Sequence, residues 1–199
     1  MSAEVPAPST DLQTRLRWLA AEFQASSWMM EQVKHLGSLD LPQGMLAAGF
    51  LRNFIWDRLH GLKNISHRTD LDVIYYDPSC TLEERDLELE SRLNRLSPNP
   101  WSVKNQARMH QRNGHSPYPS CMDAMTYWPE TATAVGVSLS KSGELKFHSP
   151  FDFEDNFAML LKKSPLATVS DDFVRQRVEN KGWLERWGKL RLQLEDAHE

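Results

Sequence analysis

Asp70-Leu71-Asp72-Val73-Ile74-Tyr75-Tyr76 is the stretch whose reading decides the fold. It is rich in β-branched and aromatic residues, with no glycine or proline to interrupt it, and so predicts a strand. Residues i and i+2 of a strand share a face. Asp70 and Asp72 therefore project together, while Leu71 and Val73 point the other way into apolar surroundings. The expectation is two carboxylates side by side on one edge of a central sheet, facing a cleft. Such a pair repels itself, which raises a pKa or demands a cation. Magnesium prefers carboxylate and phosphate oxygens. Two such ions can clamp the attacking and leaving oxygens of an in-line phosphoryl displacement. A bare D-x-D also suits a solvated strand face, so its weight depends on the sequence around it.

Upstream stands Ala48-Gly49-Phe50-Leu51-Arg52-Asn53, at a predicted strand-to-helix junction. Glycine lets backbone approach a phosphate closely, and the start of a helix offers free N–H groups to anionic oxygens. Arg52, in the first turn, is positioned for a bidentate contact with phosphate. The alternative is a tight turn followed by an exposed arginine.

Outward from these two segments, the spacing predicts alternating helices and strands. Thr10 and Gln13 fit a capping box for a first helix bearing Leu12, Leu16, Leu19 and Phe23 on one side. A second helix covers 27–36 and stops at Gly37. A strand spans 41–48 and a helix 51–59. Thr81 and Glu84 open a further capped helix with Leu82, Leu89, Leu93 and Leu96 buried. Strands are expected at 101–110, 131–139 and 144–149, with a short helix near 121–127 and a hairpin turn at Ser142-Gly143. The remainder reads as helices carrying Phe153, Phe157 and Leu160, then Phe173 and Val178, then Trp183, Trp187 and Leu190. This order predicts an α/β (α+β) fold, a small mixed sheet flanked by helices. Residues 1–9 read as a disordered tail, and 10–199 as one domain with helical N- and C-terminal flanks.

The 199 residues are 40% hydrophobic and 25% charged, with a net charge of −4. Proteins that bind nucleic acid generally carry a basic stripe, so strong general nucleic-acid binding is not expected. Two cysteines without C-x-x-C spacing, Cys80 and Cys121, predict neither a disulfide framework nor a zinc site, and suit a reduced cytoplasmic setting. No secretory signal is expected, since the first ten residues contain no Lys or Arg and no apolar segment follows them. No run of about 18 uncharged apolar residues predicts a membrane span.

The order G-F-L-R-N, then Leu59 and Gly61, then D-L-D resembles the head of the DNA polymerase β-like nucleotidyltransferase superfamily. It is most similar to the tRNA-nucleotidyltransferase and poly(A)-polymerase branch, in which a G-G-x-x-R-D turn precedes D-x-D. From about Leu41 to Trp187, the stretches GFLRN, DLDVIYYD, NQARMH, WPETATAVGV and WLERW resemble a family of small bacterial nucleotidyltransferase-family proteins. The resemblance implies transfer of a nucleoside monophosphate from an NTP to an acceptor hydroxyl, with Asp70 and Asp72 as catalytic, magnesium- or manganese-binding residues. It also implies Gly49, Arg52 and Asn53 as nucleotide-binding residues. The acceptor (a small molecule, a protein hydroxyl or an RNA end) is left open. The alternative is a nucleotide-binding regulatory or interaction domain without turnover.

Two departures stand out in that comparison: Phe50 occupies the place of the turn's second glycine, and Asn53 that of the acidic residue after the arginine. A third carboxylate commonly lies on the next strand, where this chain offers Asn105, Ala107 and Met109 on one face. Asp77, Asp123 or Glu130 are candidate substitutes. Arg108 and His110, on the opposite face with Lys104 and Gln106, either contact phosphate or acceptor or form a polar strand face. His110 is also a candidate general base. Tyr118 either stacks on a base or packs its loop down.

Overall fold

Strand β2, Leu71–Tyr75, lies at the heart of the predicted arrangement and is found there. The computed structural model describes residues 11–63 and 70–194. Helices α1 (Leu12–Gln24) and α2 (Ser27–Gly37) precede strand β1 (Met45–Ala47) and helix α3 (Gly49–Leu59). After β2 come α4 (Glu83–Leu96), β3 (Trp101–Asn105), α5 (Gln106–Asn113) and α6 (Cys121–Thr126). A 3-10 turn at Thr131–Thr133 leads into β4 (Gly136–Leu139) and β5 (Leu145–His148). The chain closes with α7 (Glu154–Phe157), β6 (Leu160–Lys162), α8 (Asp171–Asn180), α9 (Trp183–Arg186) and β7 (Arg191–Gln193).

Among the described residues the main sheet is five-stranded and mixed, in the order β3-β2-β1-β4-β5. β2 runs parallel to β3 and antiparallel to β1, with Asp72 opposite Ser102 and Val73 opposite Leu46. The pleat sorts the two faces. Leu46, Leu71, Val73, Tyr75, Val103 and Val137 face a large core built with α1 to α4. Met45, Ala47 and Ile74 face a smaller cluster with Cys121 and Met125 of α6. That second face is only partly covered, and Asp72 opens onto it. β2 is an inner strand, so the aspartates sit at its N-terminal end and not on an edge strand.

One edge of the sheet is β3, and α4 manages it. Glu90 accepts from the Val103 amide at 2.8 Å and Asp86 from the Asn105 amide at 3.2 Å. Two carboxylates one helical turn apart thus occupy outward-facing strand donors that would otherwise pair with another chain.

Several elements differ from expectation for local reasons. The cap of α1 is Asp11, whose side chain accepts from the Thr14 amide; Thr10 lies outside the described residues. Gly37 is the last residue of α2, and Ser38 follows as its C-cap. β1 is far shorter than 41–48, because Gln43 takes a positive φ and Gly44 turns back onto the Leu41 carbonyl. Helix α4 begins after Leu82 with no side-chain cap, its acidic first turn (Glu83, Glu84, Asp86) suiting the helix dipole. Leu82 and Leu96 are exposed, while Leu89 and Leu93 are buried.

The 101–110 strand ends at Asn105, whose side chain accepts the Ala107 amide and caps α5. Residues 131–139 begin as a 3-10 turn, and only 136–139 pair as strand. Leu160 lies in β6, which pairs in parallel with β7, so the C-terminal flank is not purely helical. On α8, Val174 and Val178 are buried at i, i+4 and Phe173 faces outward. Both cysteines are free. Among the described residues no helix is long and apolar enough to cross a membrane.

Candidate active site

Ala48, Asp72, Ile74, Ser102, Lys104 and Arg177 line one cleft of about 330 Å³ on the open face of the sheet. Its far end is walled by Gln106, Met109 and Asn113 of α5 and by Trp128. The register explains the near end: Asp72 lies opposite Ser102 and Ile74 opposite Lys104, so all four share a face. Asp70 is exposed, just before β2. The Asp72 carboxyl is pushed up to about 6, first by burial and then by the charge of Asp70. Arg52, Lys181 and Arg177 oppose that shift.

The turn into α3 carries an unusual backbone. Ala48 adopts φ 51° and ψ −122°, a conformation that glycine takes freely and alanine does not. Counting back from Arg52, the two glycines of a G-G-x-x-R-D turn fall on Ala48 and Gly49. The departure therefore lies at Ala48, and Phe50 is a buried helical residue. The first helical bond is Arg52 N–H to the Ala48 carbonyl at 2.9 Å. Helix geometry leaves the N–H groups of Gly49, Phe50 and Leu51 without an intrahelical acceptor.

Arg52 is not the exposed arginine of a surface turn. It is 6% exposed, and its guanidinium lies 4.3 Å from the Trp183 ring and 5.1 Å from that of Trp56. Its Nε and Nη2 donate to Asn53 Oδ1 at 3.1 and 2.8 Å. Burial lowers its pKa to about 9, while the charges of Glu130 and Asp72 hold it up. Arg52 thus acts on Asp72 by charge, with Asn53 bonded to its guanidinium.

None of the candidate third-position residues Asn105, Arg108, Glu130, Asp77 and Asp123 is among those that line the cleft. Asn105 is buried and binds the loop after β2: its amide donates to the Asp77 and Cys80 carbonyls and its oxygen accepts from the Asp77 amide. Arg108 lies on α5 and not on a strand. It pairs with Asp86 and Glu83, away from the cleft-lining face of that helix. Glu130 is fully buried, accepting from Arg177 Nε at 2.9 Å and from the Thr133 hydroxyl at 3.1 Å. Asp77 accepts from Ser79 in its own loop, and Asp123 lies in the first turn of α6. Among the described residues no group of three or more His, Cys, Asp or Glu forms a cation cage. Tyr118 is buried against His110, His115 and Tyr127 and holds its loop down. His110, on α5, belongs to that aromatic cluster.

A family model described as nucleotidyltransferase matches residues 34–192. The chain belongs to this nucleotidyltransferase family. A solved structure described as an NMR structure revealing a CCA-adding enzyme head domain is 33% identical, with a TM-score of 0.78. The match covers 89% of this nucleotidyltransferase-family chain and 95% of that one. A CCA-adding enzyme in complex with CTP shares the fold at 15% identity and a TM-score of 0.54, over 92% of this chain and 43% of that one. A tRNA-processing enzyme complex does so at 13% identity and a TM-score of 0.52, over 81% of this chain and 43% of that one. This chain therefore spans less than half the length of those two. None of the curated proteins compared matches it.

No local pattern in the sequence points to Arg177 of α8, which also lines the cleft, because only the tertiary fold brings that helix there.

Proposed function

We propose that this nucleotidyltransferase moves a nucleoside monophosphate from an NTP to an acceptor hydroxyl in a divalent-metal-dependent reaction. The observation that carries the reading is that Asp72, charged against Asp70, opens onto the same cleft as the turn that starts α3. Asp70 and Asp72 would hold magnesium or manganese. Magnesium is commonly bound by one or two carboxylates together with substrate phosphates, and this donor set suits that mode. When bound, such a cation neutralises triphosphate charge and polarises the phosphoryl oxygens.

The chain's own groups do the rest by positioning and charge. The amides at the start of α3 would offer donors to anionic oxygen, aided by the helix dipole. Arg52 adds positive charge. The acceptor oxygen bonds to the α-phosphorus, the bond to the β-phosphate oxygen breaks, and pyrophosphate leaves. The carboxylate pair is the natural recipient of the hydroxyl proton.

One observation favours the second reading, a nucleotide-binding regulatory or interaction domain without turnover: no third carboxylate joins the pair among the described residues. Incubation with each labelled NTP, magnesium or manganese, and fractionated small molecules, proteins and RNA tests both. Transfer predicts label on one acceptor class, lost in Asp70→Asn and Asp72→Asn. The binding domain predicts metal-dependent NTP affinity with no labelled product.

A further inference from the structure

Helix α8 brings a cation, Arg177, to the carboxylate end of the cleft, and its C-cap is a second, Lys181. Arg177 lines the cleft beside Asp72 and Ala48. Its Nε donates to Glu130 Oε1 at 2.9 Å, and Glu130 Oε2 is held in turn by the Thr133 hydroxyl at 3.1 Å. Trp183 braces the arrangement from another side, with the Arg177 guanidinium 5.7 Å and that of Arg52 4.3 Å from its ring. A guanidinium bonded through Nε keeps its Nη donors for a second acceptor. Lys181 follows Arg177 by four residues, at the α8 C-cap, and is exposed. Positions i and i+4 share a helix side, and the charges of both residues act on Asp72.

Fully buried Glu130 offsets the charge of buried Arg52 and bonds directly to Arg177, whose fork it thereby orients. Arg52 is buried against Trp183 and is not among the residues that line the cleft, whereas Arg177 lines it and Lys181 is exposed.

We propose that Arg177 and Lys181 form a triphosphate clamp, with Glu130 as the positioning residue that holds the Arg177 fork at the cleft. The ligand class is a nucleoside triphosphate recognised by its β- and γ-phosphate charge, with little contribution to binding of the nucleoside part. This rests on the nucleotidyl-transfer reading above and adds the groups that select the triphosphate.

The test is calorimetric titration of the full chain with ATP, GTP, CTP and UTP, and with the corresponding monophosphates and nucleosides, in magnesium. Lys181→Ala, at an exposed position, is expected to fold normally and to weaken triphosphate binding roughly tenfold while sparing the nucleoside. Lys181→Arg should restore most of the loss. Removing Arg177 alone leaves buried Glu130 facing only the charge of Arg52, so the second arm is the double variant Glu130→Gln/Arg177→Gln, which removes the bonded pair together but also takes the Glu130 charge from buried Arg52 and is therefore read beside its own melting curve. It is expected to lose roughly ten- to a hundredfold in triphosphate affinity. If it fails to fold, Lys181→Ala decides alone. Wild-type affinity for triphosphate in Lys181→Ala overturns the clamp while leaving nucleotidyl transfer standing. A wild-type chain that binds no triphosphate overturns both.

Discussion

Asp72 is the residue on which electrostatics and chemistry meet. Its folded pKa, about 6, lies above the ordinary value of 3.8. The folded state therefore holds a proton that the unfolded chain has released, and stability falls as pH rises from about 4 through 6. Asp72→Asn removes this dependence and should stabilise the metal-free protein at neutral pH by on the order of 2 kcal/mol. Melting curves of both proteins from pH 4 to 8, in chelator, give the difference; a variant less stable at pH 7 would make the aspartate structural. Ala48 carries a cost of a different kind, a glycine backbone on an alanine. Such strain costs about 1–3 kcal/mol, against about 0.5–1 kcal/mol of added chain entropy for glycine. Ala48→Gly should thus raise the denaturant midpoint by the equivalent of about 1 kcal/mol. The opening of Asp72 onto the cleft was legible because a strand's period of two is fixed by its backbone. The burial of Arg52 was not, because the ring that covers it, Trp183, belongs to a distant part of the chain.

At the scale of elements, α4 and β3 form a unit held by side chains and not by hydrophobic pattern alone. Asp86 is fully buried and accepts from the Tyr75 hydroxyl at 2.7 Å, the Asn105 amide at 3.2 Å and Arg108 Nε at 3.1 Å. Its neighbourhood drives the Tyr75 hydroxyl pKa upward, through burial and then the bond to Asp86. Asp86→Ala would strand three donors at once, at a cost of about 3–5 kcal/mol. Urea denaturation measures it, and a loss below about 1 kcal/mol would contradict this account of the edge. The same unit shows where sequence reading stops. Trp101 to His110 alternates well enough to pass for one long strand, yet Asn105 caps a helix there with its own side chain. Leu160 sits in a helical spacing and forms a strand instead, because β7, far along the chain, supplies its partner. A local side-chain cap overrides the periodicity in the first place and long-range pairing in the second.

At the scale of the molecule, the C-terminal segment folds back over α3 and completes the site. Trp187 donates from Nε1 to the buried Asp57 of α3 at 2.9 Å, and Trp183 and Trp187 pack edge-on against Trp56. This anchoring carries α8, and with it Arg177 and Lys181, to the aspartates. The mixed sheet with flanking helices followed from the alternation of elements, and the nucleotidyltransferase family from GFLRN and DLDVIYYD. How the cleft is closed by α8 did not, since no local pattern encodes a contact between distant segments. In the proposed reaction this cleft breaks the bond between the α-phosphorus and the oxygen that bridges to the β-phosphate. Parallel reactions with α-labelled and γ-labelled NTP, in magnesium and with the acceptor fraction, test it directly. The account predicts α-label joined to the acceptor and γ-label released as pyrophosphate, both abolished in Asp70→Asn. Transfer of γ-label to the acceptor, or no metal-dependent affinity for any NTP, would contradict it.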